Sequence, residues 1–127
     1  MIAEGLLCLA LNIFNEARSE PIDSQIAVAA VTMNRMKDKD SPSSICDVVY
    51  EPSAFSWTKH KKKIKEPTNL DEIEYKAFLQ AKQIASLYIQ GRLKNPIGSR
   101  KYFNDKSMGK RYDTPHKPIR FDKLVYY

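Results

Sequence analysis

A chain of 127 residues with 43% hydrophobic and 28% charged residues has the size and composition of one ordinary globular domain, which excludes disorder and fibrous architecture. Its net charge of +6 favours polyanionic partners, whether nucleic acid, anionic lipid or an acidic wall polymer, without choosing among them. No apolar run approaches the roughly 20 residues of a membrane helix, so no transmembrane segment is expected, and Glu4 stands where a secretory leader would be basic.

The first predicted element is a helix over residues 2 to 17. Ile2, Leu6, Leu9, Ile13 and Ala17 recur at helical spacing, and Leu7, Ala10 and Phe14 widen the stripe. Pro21 disfavours helical dihedrals at Glu20, so the helix should end near Arg18 or Ser19, and Pro21 can open the next one. That second helix, residues 22 to 37, is apolar nearly all round through Ile22, Ile26, Val28, Val31 and Met33, as a helix packed on several sides would be.

"KDKDSPSS" reads as a loop, "SICDVVY" as a short helix or turn, and "EPSAFSWTKHKKKIKEPT" as a second loop. The run "KHKKKIK" within it suits a solvated loop, and without interleaved aromatic platforms it predicts no specific nucleic-acid partner. Asn69 with Glu72 forms a predicted capping box, Gly91 a predicted C-cap, and Leu70, Ile73, Ala77, Ala81, Ile84, Ala85 and Tyr88 one stripe between them. "KYFN" and the terminal "KLVYY" are short, aromatic and β-branched, and predict two strands of a hairpin-like flap. The expected architecture is a mainly α (α+β) single domain over 1–127 with a small two-stranded antiparallel element near the C-terminus.

Cys8 and Cys46 lie in apolar contexts outside any metal-ligand spacing. Two buried free thiols is the favoured reading, with a single bridge as the alternative; a zinc site is not expected. His60 and His116 have no ligand or triad companion in sequence and are expected to be exposed.

Glu16 falls on the last turn of a largely buried helix, where exclusion of water would raise its pKa and keep it protonated. A protonated carboxyl is what glycosidic cleavage requires of its general acid. By itself, though, a Glu near a helix end is far more often solvated than catalytic.

Four blocks in order change that balance. "NEARSEPIDSQIAVAAVTMNRMK", "SICDVVYEPSAFSWT", "NPIGSRKYFN" and "LVYY" resemble the cell wall hydrolase family typified by the spore-cortex-lytic enzyme SleB. The resemblance implies a lysozyme-like helical catalytic domain that cuts the β-1,4 bond between N-acetylmuramic acid and N-acetylglucosamine. It implies a lytic transglycosylase with Glu16 as acid and then base, no cofactor, peptidoglycan glycan strands as substrate, and action at the bacterial cell wall.

Small size and positive charge fit a phage endolysin, made in the host cytoplasm without a signal peptide, acting as a monomer and approaching an anionic envelope. The alternatives are a hydrolytic muramidase with a second carboxylate and, from another class, a non-catalytic wall- or nucleic-acid-binding module. Glu20, Asp23, Asp47, Glu51 and Asp105 are the candidate second carboxylates.

Departures from the family pattern are Ser19 and Ser24 where glycines are expected and Ala54 in place of glutamine. Ser56 and Trp57 form the loop segment of the expected substrate site, Trp57 being either a sugar-stacking platform or a core lid. Alternation along a strand puts Tyr102 and Asn104 on one side, toward substrate, and Phe103 on the other. Tyr126 is the expected cleft residue on the pairing strand, with core as its alternative. Arg18 is read as partner of Glu20, as orienter of Glu16, or as an exposed helix-end cation, and Asn34 and Arg35 as holders of loops.

Overall fold

The computed structural model describes residues 3–60, 64–110 and 112–127, with the His60 side chain excluded. The centre of the Lys-rich run, residues 61–63, lies outside the described residues.

Four helices form the body: α1 (Glu4–Ala17), α2 (Ile22–Met36), α3 (Ile45–Val49) and α4 (Glu72–Ile89). α1 packs against the other three, which is why Leu9, Ala10 and Ile13 have no exposed surface. α2 is nearly as enclosed, with Ala27 through Val31 wholly buried. Edge-on packing of Phe14 against Phe78, centroids 5.6 Å apart, locks α1 to α4. The apolar pattern over-reached at two helix starts, because Ile22 and Ile73 sit on first turns with no neighbouring element over them and remain 52% and 81% exposed.

α1 ends at Ala17, with Arg18 as its C-cap, as Pro21 demands. Ser19 does not take a positive φ, so that position makes no call for glycine in this chain. α4 begins two residues later than the capping pattern indicated. Asp71, not Asn69, is the N-cap, and it exchanges bonds with Glu74: Glu74 N–H to Asp71 Oδ1 at 2.8 Å and Asp71 N–H to Glu74 Oε1 at 3.4 Å. Asn69 instead takes a left-handed turn position, φ 58°. At the other end Gly91, φ 74°, donates to Tyr88 O and Arg92 to Leu87 O, a left-handed C-terminal closure that favours glycine.

The cysteines correct the favoured expectation of free thiols. Cys8 of α1 and Cys46 of α3 are bonded, with Cα atoms 5.3 Å apart. Their 38-residue separation hid what the packing of α3 on α1 decides.

The β element is also larger than expected. β1 (Phe103–Asp105) does pair with β3 (Leu124–Tyr126), Phe103 opposite Tyr126, but β2 (Ile119–Phe121) flanks β3 on its other side, giving the antiparallel order β1-β3-β2. "IRF" was too short and too charged to read as a strand; Asp122, φ 50°, makes the tight turn into β3.

α2 carries the clamps that hold this sheet and its loops. Ser24 donates to Phe121 O at 3.2 Å, Asn34 Nδ2 to Gly98 O and Arg100 O at 2.8 and 2.7 Å, and Arg35 Nε to Lys101 O at 2.7 Å. Tyr126 closes the set, its hydroxyl donating to Ser24 O at 3.1 Å. Backbone carbonyls in irregular segments need donors once they are covered, and a helix face supplies them here.

Candidate active site

Glu16 projects from the last turn of α1 into a cleft of about 440 Å³. Its other walls are residues 53–56, the strand β1, Met108, Tyr112 and Leu124 of β3, with Arg35 entering from α2. Ser53 begins the first wall with φ 66°, a left-handed conformation that is uncommon for a residue with a Cβ and turns the chain toward the cleft.

Burial raises the Glu16 carboxyl above its ordinary pKa, and the Arg35 cation opposes that rise. A carboxyl so placed holds its proton to higher pH and is suited to give it to a leaving oxygen. Asp105, in the same cleft, is the reverse case: bonds from Ser107, led by its backbone N–H, hold its carboxyl below the usual range. Two carboxyls of different proton affinity therefore face one space.

Arg35 was read as a loop holder, and its Nε does that work. Its guanidinium also lies 4.7 Å from the Phe55 ring centroid and 5.4 Å from that of Tyr102, which keeps it in the cleft wall. Burial lowers its pKa, opposed by Tyr112, Tyr102, Glu51 and Glu16. Periodicity could not reveal this, because the position depends on where residues 53–56 cross α2.

The expected site residues divide. Ser56 and Asn104 line the Glu16 cleft. Asn104 Nδ2 donates to Gly109 O at 2.9 Å, while its buried Oδ1 has no partner among the described residues. Phe103, expected to face away, lines the same cleft, because the three-residue strand runs along the cleft edge and presents more than one face. Tyr102 precedes the strand, is 40% exposed, and stacks on Tyr112 with centroids 4.9 Å apart.

Two of the expected residues are held from the core side. Tyr126 is fully buried between Phe103 and Phe121, so its ring is core and does not line the cleft. Trp57 is a lid held from inside: its Nε1 donates to buried Asn12 Oδ1 at 2.8 Å, Asn12 Nδ2 to Thr32 Oγ1 at 3.0 Å, and Thr32 to Val28 O. Asn12 lies one helical turn before Glu16, so this chain of bonds fixes residues 53–56 against the acid's own helix. The indole edges a separate cavity of about 490 Å³ and meets Tyr50 edge-on.

Among the remaining candidates, Arg18 pairs with Glu74 at 3.4 Å and covers the Phe14 ring, not Glu20. Asp23 and Asp47 are exposed away from the cleft, and Glu51 lines an adjoining cavity. Glu20 keeps a buried oxygen without a hydrogen-bond partner among the described residues. His116 is partly buried, 3.4 Å from Ser99 Oγ. Among the described residues no three His, Cys, Asp or Glu side chains group to hold a metal ion, and no helix is long and apolar enough to cross a membrane.

The cleft continues beyond Glu16. A cavity of about 240 Å³ shares Arg35, Ser53, Ala54 and Tyr112 with it, and a third of the same size shares Lys101 and Tyr102 with the second. Together they form a run of adjoining spaces walled by aromatic rings and polar groups, the arrangement an extended polar chain needs.

Residues 19–127 match the profile of the family described as Cell Wall Hydrolase. The chain belongs to that family. The match starts just past Glu16, which lies outside it. A 48-residue stretch is 44% identical to the spore cortex-lytic enzyme of Bacillus subtilis and 42% identical to that of Oceanobacillus iheyensis, covering 38% of this chain but only 16% and 17% of those proteins.

Among solved structures, the catalytic domain of SleB from Bacillus cereus aligns with TM-score 0.65 and 24% identity over 97% of this chain and 88% of that one. The catalytic domain of the germination-specific lytic transglycosylase SleB from Bacillus anthracis aligns with TM-score 0.65 and 25% identity over 99% and 95%. The SleB-like helical fold with its small C-terminal sheet is thus the fold of this cell wall hydrolase.

Proposed function

We propose that this domain degrades peptidoglycan as a lytic transglycosylase, cutting the β-1,4 bond that follows N-acetylmuramic acid. The observation that carries the reading is Glu16, a carboxyl raised by burial at the head of a multi-chambered polar cleft in a member of the cell wall hydrolase family. Protonated Glu16 gives its proton to the glycosidic oxygen as the C1–O bond breaks. The resulting carboxylate then takes the proton of the muramic C6 hydroxyl while that oxygen bonds to C1, closing a 1,6-anhydro ring. One residue serves both steps, and no water is consumed.

Ser56, Tyr102 and Asn104 are the proposed substrate contacts. Asn104 lines the Glu16 cleft, and Tyr102 with its stacked partner Tyr112 offers a ring surface at the junction of the second and third cavities. A monomeric phage endolysin, made in a host cytoplasm and drawn to an anionic envelope by its +6 charge, is the proposed setting. Binding to cells should then weaken with added salt.

Asp105 supports a second reading. A carboxylate held ionised in the same cleft could activate water, making the enzyme a hydrolytic muramidase. Mass spectrometry of soluble fragments from purified peptidoglycan separates the two. Anhydro-muramic ends that vanish with Glu16→Gln support the transglycosylase. Reducing muramic ends support the muramidase, and no release by the wild-type protein overturns both.

A further inference from the structure

Arg35 is a cation in the cleft wall whose donors are only partly used. Its Nε serves Lys101 O, but among the described residues neither terminal nitrogen has a hydrogen-bond partner and no carboxylate comes within ion-pair distance. Two aromatic rings cover its face. A partly desolvated guanidinium with idle donors is unfavourable unless an acceptor reaches it.

Its position says where that acceptor comes from. Arg35 lines both the Glu16 cavity and the one beside it, so a sugar docked next to the acid lies against the guanidinium edge. The planar fork of an arginine matches a carboxylate or an amide carbonyl, and matches a lone hydroxyl poorly. In the alternating glycan both sugars carry an N-acetyl group, but only the muramic unit carries a lactyl ether ending in a carboxylate or, when a peptide is attached, an amide carbonyl.

We infer that Arg35 is a specificity-determining residue whose terminal nitrogens bind the lactyl carbonyl group of the muramic unit beside Glu16. The inference rests on the glycan-cleaving reading above. It makes the cleft select muramic acid over N-acetylglucosamine through one charged contact, while the rings and Asn104 serve features common to both sugars. A carboxylate-ended lactyl group and a peptide-linked one present the same acceptor oxygen, the former with the stronger charge.

The test is calorimetric binding in the Glu16→Gln background, which holds ligand without turnover. Two ligands are compared: a tetrasaccharide alternating N-acetylglucosamine with peptide-free N-acetylmuramic acid, and a tetramer of N-acetylglucosamine. Glu16→Gln should favour the muramic ligand by about tenfold or more, the scale of one charged contact. Adding Arg35→Gln should bring the two affinities to within about twofold by weakening the muramic ligand alone, and Arg35→Lys should restore part of the preference, having charge without the fork.

A preference that survives Arg35→Gln, equal weakening of both ligands, or no muramic preference in Glu16→Gln overturns the inference. Circular dichroism of each variant confirms its helices, and Arg35→Lys carries the test if Arg35→Gln fails to fold. Release of fragments from peptidoglycan by the wild-type protein reports separately on the glycan-cleaving reading, so the two fail in different assays.

Discussion

The helical half and the sheet-bearing half of this domain are held by different forces, and the cleft runs along the seam between them. α1, α2 and α4 bury continuous apolar faces, with Leu9, Ile13, Val28 and Val31 wholly enclosed, and the Cys8–Cys46 bond ties α3 to α1. Residues 95–127 contribute three-residue strands that could not stand alone. They are docked by side chains of α2 reaching their carbonyls. Area dominates one half; in the other, directed bonds add to a smaller buried set that includes Ile97, Leu124 and Tyr126. The proposed active site on this seam takes its acid from the helical half and part of its wall from the sheet-bearing half.

The largest test of the comparison is on the seam itself. Glu16→Gln should reduce turnover by about 100- to 10,000-fold, the range for a lost general acid, without unfolding either half. It should also stabilise the protein at neutral pH. Because burial raises the Glu16 pKa in the folded state, the folded protein binds the proton more tightly than the unfolded chain. Stability is then lost as pH climbs from the ordinary carboxylate pKa to the raised one. Thermal melts should show the glutamine variant's advantage above that window and not below it; an advantage independent of pH would contradict the assignment.

Activity should fall on the alkaline side as Glu16 loses its proton, and Arg35→Gln should move that limb upward, because it removes the charge that opposes the rise. A pH profile of fragment release reads this directly. A downward shift would mean that Arg35 does not act on Glu16 through its charge.

Within the helical half, replacing both cysteines by alanine should lower unfolding stability by about 2–4 kcal/mol, as expected for a bridge closing a long loop, measured in urea under oxidising conditions. The sheet-bearing half should answer to a smaller change. Asn34→Ala removes the donor to Gly98 O and Arg100 O and should cost about 1–3 kcal/mol. Hydrogen exchange should rise first in residues 95–127 while α1 and α4 stay protected. Equal loss in α1 would mean that the halves are one cooperative unit. Smallest of all, Asp71→Ala should cost about 1 kcal/mol, confined to the start of α4, whose capping box it breaks.

The halves also differed in how much of each could be read in advance. α1 and α2 followed from spacing and Pro21, and α4 from its stripe and Gly91, because helix formation is local and its signals lie within a few residues. Asp71 displaced Asn69 as the cap because Asn69 was drawn into a left-handed turn. In the other half β2 went unseen, since three residues between Pro118 and Asp122 carry too little pattern, although β3 follows across a tight turn. Tyr126 read as a cleft residue by its strand, yet packing of Phe103 and Phe121 on either side turned it inward.

By itself the sequence determined the helical frame, the place of Glu16 at the end of an enclosed helix, and, through four ordered blocks, the cell wall hydrolase family. Periodicity and chain order carry those signals. Only the tertiary structure decided that Cys8 meets Cys46, that Trp57 is anchored to Asn12, and that Arg35 stands in the cleft wall against two aromatic rings. Each depends on two segments far apart in the chain arriving at one point. The energy of that meeting is set by burial, hydrogen-bond geometry and charge, none of which a linear pattern records.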